Sequence, residues 1–216
     1  MEKKIYLSEN VRVSDPCYND DVWCKTQLKN VLPGIYNYDV SRKDLGDWGN
    51  RVSSITLIHE SYKANDSLVW DYHSEIGVDS GQAGIFCESS YRNDEVAAGI
   101  TTPDIDFPFG EDSPGDAWYS KMCKFTLGGE GFGSYDTGVV SSSGIGDGGY
   151  PLYVVYDNNE KIVAMQIDYL PEDEEDEDDG GDICGVCGIE LESDGSCDYC
   201  SNEEAEEKNE ESLTQN

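Results

Sequence analysis

Four cysteines, Cys184, Cys187, Cys197 and Cys200, stand in the run CGVCGIELESDGSCDYC with the spacing C-x2-C-x9-C-x2-C, and that spacing is the one a structural zinc site uses. A two-residue spacer turns the backbone tightly enough for one segment to offer two thiolates, and four thiolates satisfy a tetrahedral Zn2+ at about 2.3 Å. Gly185 and Gly188 stand where such knuckles need a permissive backbone. With sulfur at all four positions no coordination site is left for water or substrate, so the expected role is to hold a shape. The alternative for the same residues is a pair of disulfides. Cys17, Cys24, Cys87 and Cys123 are scattered singly, which suits buried reduced thiols better than a disulfide framework.

Three polar motifs offer oxygen chemistry instead. Asp15 precedes Pro16 in VRVSDPCY, Asp79, Ser80 and Gln82 sit in IGVDSGQAGIF, and Asp147 lies in the glycine-rich SSSGIGDGGYPLYV just before Tyr150. Each is an ordinary turn sequence when taken alone, with the carboxylate accepting hydrogen bonds from nearby backbone N–H groups. Should the turns converge, Asp15, Asp79 and Asp147 would form a carboxylate cluster, with Gln82 and Tyr150 as hydrogen-bonding partners. Such a cluster could hold Mg2+ or Ca2+, or supply a general acid and base. Arg12, Arg51 and Arg92 are the cations that a phosphorylated ligand would require, with Arg51 the foremost. The glycine-rich stretch 128–149 matches neither a P-loop nor a dinucleotide fingerprint.

The elements that must position these residues read as mainly β. Of the 216 residues, 14 are Tyr and 23 are Gly, a mixture that suits short strands joined by tight turns. Strands are expected at 4–7, 11–14, 34–40, 52–58, 67–72, 75–78, 84–87, 138–141, 152–156 and 162–169, with one short helix at 116–122. The last two strands, either side of DNNEK, read as a hairpin. The expected fold is an antiparallel β-sandwich or barrel-like domain over residues 1–170. An acidic linker at 171–182, a zinc-ribbon-like module at 183–201 and an acidic tail at 202–216 complete the chain. Trp23, Trp48, Trp70 and Trp118 are expected to pack in the core or at its rim. His59 and His73, lacking a second ligand at suitable spacing, read as ordinary surface or half-buried residues.

Charge narrows the classes of partner. The net charge is −32, of which residues 1–170, with 13 basic and 27 acidic side chains, carry −14, and residues 171–216, with one basic and 19 acidic, carry −18. Lys and Arg are concentrated nowhere, which argues against direct binding of nucleic acid. The eight consecutive carboxylates EDEEDEDD at 172–179 repel one another and suit a solvated linker. The opening MEKKIYLSENVRVSDP turns polar within a few residues and no run is long enough to span a bilayer. A cytoplasmic protein without a membrane partner is therefore expected.

The ordered series Ser14-Asp15-Pro16, Pro33-Gly34-Ile35-Tyr36, Arg51, Val78-Asp79-Ser80-Gly81 with Ala83-Gly84-Ile85-Phe86, and Gly146-Asp147-Gly148-Gly149-Tyr150-Pro151, closing with Ile167-Asp168-Tyr169, resembles the family catalogued as domain of unknown function 4241. Its members occur in bacteria and phages. The resemblance covers residues 5–170 and is nearest to phage-type versions that carry a zinc-knuckle appendage; the chain departs from the pattern at Cys87 and Gly149. It implies bacterial or phage origin and no particular activity. Three functions remain open. The leading one is a non-enzymatic binding or interaction protein with a protein partner, docking through its structural zinc module. The others are a small-molecule binder for a nucleotide-type signal in phage–host conflict, and a metal-assisted hydrolase using Asp15, Asp79 and Asp147.

Overall fold

Alternation of buried and exposed side chains sorts the strands into two antiparallel sheets. A computed structural model of the chain describes residues 3–19, 25–62, 68–107 and 113–171. The first sheet contains β1 (Lys4–Leu7), β4 (Gly34–Asp44), β5 (Asn50–His59), β6 (Asp71–Val78), β10 (Gly148–Tyr156) and β11 (Ile162–Asp168), in the order β1-β4-β5-β11-β10-β6. The second contains β2 (Val11–Ser14), β3 (Thr26–Leu28), β7 (Gln82–Cys87), β8 (Phe132–Tyr135) and β9 (Gly138–Ser142), in the order β3-β2-β7-β9-β8. Val13 and Ile85 from the second sheet and Leu57, Leu152, Met165 and others from the first close a buried apolar core between the two. The expected mainly β, antiparallel sandwich is the fold found.

A third layer covers the far face of the second sheet. Here α1 (Asp94–Ala97) and α2 (Asp116–Leu127) lay Trp118, Met122 and Phe125 against Phe86 and Val140. The central strand β7 is therefore covered on both faces. Ala83, Ile85 and Cys87 face the sandwich core, Phe86 faces the helices, and all six residues are buried. This explains the unbroken run QAGIFC, since a strand with no wet face has no reason to alternate. Asn93 caps α1, its side-chain oxygen accepting from the N–H groups of Glu95 and Val96. Asp94 ties the two helices together by accepting from the N–H of Gly115 at 2.8 Å and of Trp118 at 3.1 Å.

The margins of the sandwich are tied. The hydroxyls of Thr26 on β3 and Ser74 on β6 lie 3.0 Å apart, and Tyr6 N–H on β1 donates to the carbonyl of Asp136 at 2.8 Å. Such links blunt strand edges that would otherwise be open for pairing. The two strands expected at 67–72 and 75–78 prove to be one, β6, starting at Asp71. Its first residues, Asp71, Tyr72 and His73, are exposed at the end of an edge strand, so polarity there signals solvent and not a break. The helix at 116–122 runs on to Leu127. Trp48, expected to pack, is 63% exposed at the tip of the β4–β5 hairpin, beyond the reach of the core, whereas Trp118 is fully buried. Trp23 and Cys24 lie outside the described residues.

Gly84 shows how closely the layers meet. A Cβ built there would lie 2.3 Å from the Phe86 ring and 2.4 Å from the Val139 carbonyl oxygen, and backbone cannot swing aside as a flexible side chain can. Gly84→Ala is expected to destabilise the protein by about 2–3 kcal/mol, measured by urea unfolding; an unchanged midpoint would contradict this packing.

Candidate functional site

The connections between the two sheets, not the strands, bring the polar motifs together. The chain leaves the first sheet at β6 and enters the second at β7 through Asp79–Gly81, and returns from β9 to β10 through residues 143–147. At such corners backbone N–H groups have left the ladder and need acceptors. Asp15, just past the end of β2, supplies them. One of its carboxylate oxygens accepts from Asp79 N–H at 2.9 Å and Ser80 N–H at 2.7 Å. The other accepts from Cys17 N–H at 2.8 Å and the Ser80 hydroxyl at 2.6 Å. Asp15 is 0% exposed, so all four bonds are made away from water.

The returning loop docks on the same turn. Asp147 accepts from Gly81 N–H at 3.0 Å, and Ser143 N–H donates to the Gly81 carbonyl at 3.0 Å. Gly81 sits at φ +67, the left-handed region that a residue with a Cβ enters only with strain. Tyr150 donates its hydroxyl to the Gly146 carbonyl at 2.7 Å and sets its ring edge-on to Tyr169, 5.2 Å between centroids; burial pushes the Tyr150 phenol up from its ordinary value. Gln82 is engaged on the other face of the sheet, where Thr126 Oγ1 donates to its Oε1 at 3.0 Å and its Nε2 donates to Cys123 Sγ at 3.4 Å.

The structure thus gathers Asp15, Asp79, Gly81 and Asp147 at one corner, as the sharper sequence reading requires, but gives the oxygens a different task. The oxygens of Asp15 are directed at N–H and O–H donors. Among the described residues no group of three His, Cys, Asp or Glu side chains is arranged to hold a metal ion. Asp79 enters the network through its backbone N–H and stands exposed.

The cations do not gather here as a set. Arg51 is exposed beside the β4–β5 tip and donates to the Trp48 carbonyl at 2.7 Å. Arg12 forms a two-pronged pair with Glu88, one arm at 3.0 Å, and lies 4.9 Å over the Tyr91 ring. Arg92 binds the Pro16 carbonyl at 3.0 Å and Asp116 at 3.1 Å. A phosphate-binding constellation of these three is not formed. Cys184, Cys187, Cys197 and Cys200 lie outside the described residues.

Cys17, Cys87 and Cys123 are free thiols. Burial, then the negative charge of Asp15 and a hydrogen bond to it, push Cys17 up to about 12. Burial likewise raises Cys123. Neither thiol is poised as a thiolate nucleophile.

Sequence reasoning missed a cleft of about 550 Å3 on the helical side. It lies between Ser89 and Ser90, the segment from Val96 to Thr101, and the β8–β9 turn at Ser134–Thr137. Its walls come from three separated segments and carry no motif, so only the fold assembles it. Compared with known proteins, the chain matches no family model, no curated protein and no solved structure.

Two outcomes check this site. Asp15→Asn replaces an acceptor with a donor facing N–H groups, and is expected to cost about 2–4 kcal/mol in urea unfolding, with the exposed Asp147→Asn costing clearly less; equal small effects would contradict the clamp. Iodoacetamide at pH 8, followed by peptide mapping, should label Cys17 at least about 100-fold more slowly than an unstructured cysteine. Rapid labelling would mean that the thiolate is accessible.

Proposed function

We infer that the chain is a non-enzymatic binding and interaction protein in which a β-sandwich serves as a rigid carrier. The observation that carries this reading is the engagement of Asp15, Gln82 and Tyr150, the polar residues best suited to chemistry, in bonds that hold the fold together. A catalytic carboxylate needs an approach for substrate, and Asp15 has none. Catalysis by a metal clustered on Asp15, Asp79 and Asp147 finds no ligand geometry among the described residues, and a nucleotide-type signal finds no cluster of Arg12, Arg51 and Arg92 to meet its phosphates.

The partner is a protein. Exposed apolar residues support this: Tyr72 on the edge strand β6 is 63% exposed and stacks edge-on with Tyr153, and Val69 and Tyr156 are exposed as well. Aromatic residues of this kind are common anchors in interfaces. Cys184, Cys187, Cys197 and Cys200 hold one structural Zn2+ and shape a docking module, on the strength of their spacing. The resemblance of the Ser-Asp-Pro, Asp-Ser-Gly and Gly-Asp-Gly motifs to domain of unknown function 4241 supports a bacterial or phage origin, and with it a cytoplasmic setting. Among the described residues no helix is long and apolar enough to cross a membrane.

Metal analysis of the full chain tests the reading. One zinc per chain is expected, lost on joint substitution of Cys184 and Cys197 by Ser, with no calorimetric signal for Mg2+ or Ca2+ that changes in Asp79→Asn. A second stoichiometric metal that disappears with Asp79→Asn would overturn the non-enzymatic assignment in favour of a hydrolase.

A further inference from the structure

We propose that the cleft between α1 and the β8–β9 turn binds a small organic cation, an ammonium group carried on an apolar or aromatic body. The inference rests on the reading of the chain as a binding protein and names the chemistry of one ligand. At about 550 Å3 the cleft falls within the range of small-molecule sites, roughly 300–1,000 Å3. Its lining divides in two. Val96 and Ile100 give an apolar wall, while Ser89 and Thr101 give hydroxyls that accept hydrogen bonds from N–H groups; the Ser134 hydroxyl is already taken, 2.9 Å from that of Tyr38.

Charge selects the ligand. Among the described residues Asp136 is the only charged one lining the cleft, with no Lys or Arg beside it. Its side chain is exposed and has no hydrogen-bonding or ionic partner among the described residues. Beside it stands Tyr135, whose hydroxyl is already engaged, accepting from Trp118 Nε1 at 3.2 Å and lying 3.3 Å from Ser90 Oγ. Tyr135, its ring edge-on to Trp118, also lines the cleft, and a carboxylate beside an aromatic residue is a pairing that favours a cation. An anion would meet an unpaired carboxylate and the net −14 of residues 1–170.

The wall carrying Asp136 is fixed before any ligand arrives. The Asp136 carbonyl accepts from Tyr6 N–H at 2.8 Å and the Thr137 carbonyl from Cys87 N–H at 2.9 Å, so the β8–β9 turn is pinned from both sides. Pre-organisation of this kind lowers the ordering cost of binding.

The test is an NMR titration of the isotope-labelled full chain in about 150 mM salt, which screens the acidic segment at 172–216. The probes are 2-phenylethylammonium, neutral 2-phenylethanol and anionic phenylacetate. Saturable shifts are expected at the amides of residues 96–101 and 134–137 with the ammonium probe, about tenfold weaker binding of the alcohol, and none of the anion. Asp136→Asn should weaken the ammonium probe about tenfold while leaving the melting temperature unchanged. Ser89→Trp, at an exposed position of the rim, should block the cleft. Absence of saturable shifts at those amides, equal binding of phenylacetate, or indifference to Asp136→Asn would each overturn the proposal. Tighter binding of N-acetyl-lysine methylamide than of any free amine would overturn the small-molecule assignment in favour of a partner's side chain. A cleft that fails this titration leaves the non-enzymatic reading standing, and a divalent-ion site lost with Asp79→Asn leaves the cleft result untouched.

Discussion

A buried carboxylate that accepts four hydrogen bonds is the constraint on which the rest of this fold depends. A sandwich made of one chain must pass strands between its sheets, and each passage takes backbone N–H groups out of a ladder and into a corner. An unmet N–H group at a buried corner costs about 1–3 kcal/mol, a large share of the 5–15 kcal/mol typical of a whole domain. Asp15 meets three such N–H groups and a hydroxyl at once. Tyr91 holds the other side of the clamp by donating its hydroxyl to the Asp15 carbonyl at 3.0 Å. The β9–β10 passage then docks on the same turn through Asp147 and Ser143, so the two crossings steady one another.

The same logic extends to the helical layer. Arg92, at a positive φ of 49, reaches the Pro16 and Cys17 carbonyls and Asp116, joining the loop after β2 to the start of α2. Gln82 joins β7 to the end of α2. Polar side chains therefore sit where one layer meets the next, and the space between layers is left to Leu, Ile, Val and aromatic residues. What this framework does not use includes the exposed Tyr72 of β6 and the cleft beside Asp136.

Much of this was legible in the amino-acid sequence, for reasons that differ by element. Residues 4–7 and 11–14 are strands with the expected limits, because turn residues flank each tightly. The hairpin of β10 and β11 shows in its two apolar runs and the Asp-Asn-Asn turn between them. Two strands were not foreseen, Thr26–Leu28 and Phe132–Tyr135; one is only three residues long and the other contains Gly133, so neither carries an apolar pattern, and pairing with β2 and β9 decides them. The convergence of Asp15, Asp79 and Asp147 was legible as a possibility. Their task was not, because the Asp15 and Asp147 oxygens that would bind a cation are the same ones that accept from backbone N–H, and only the fold says which partner arrives. The cleft left no trace, being assembled from two stretches, 89–101 and 134–137, that are more than 30 residues apart and carry no motif.

Native-state hydrogen exchange at the amides of Cys17, Asp79 and Ser80 is the most direct test of the clamp. If Asp15 binds these protons away from water, they exchange only through global unfolding, as slowly as the amides of β7 and β11. Exchange of all three at the rate of an open surface turn would contradict the account, because it would mean that the corner is held by something other than this carboxylate.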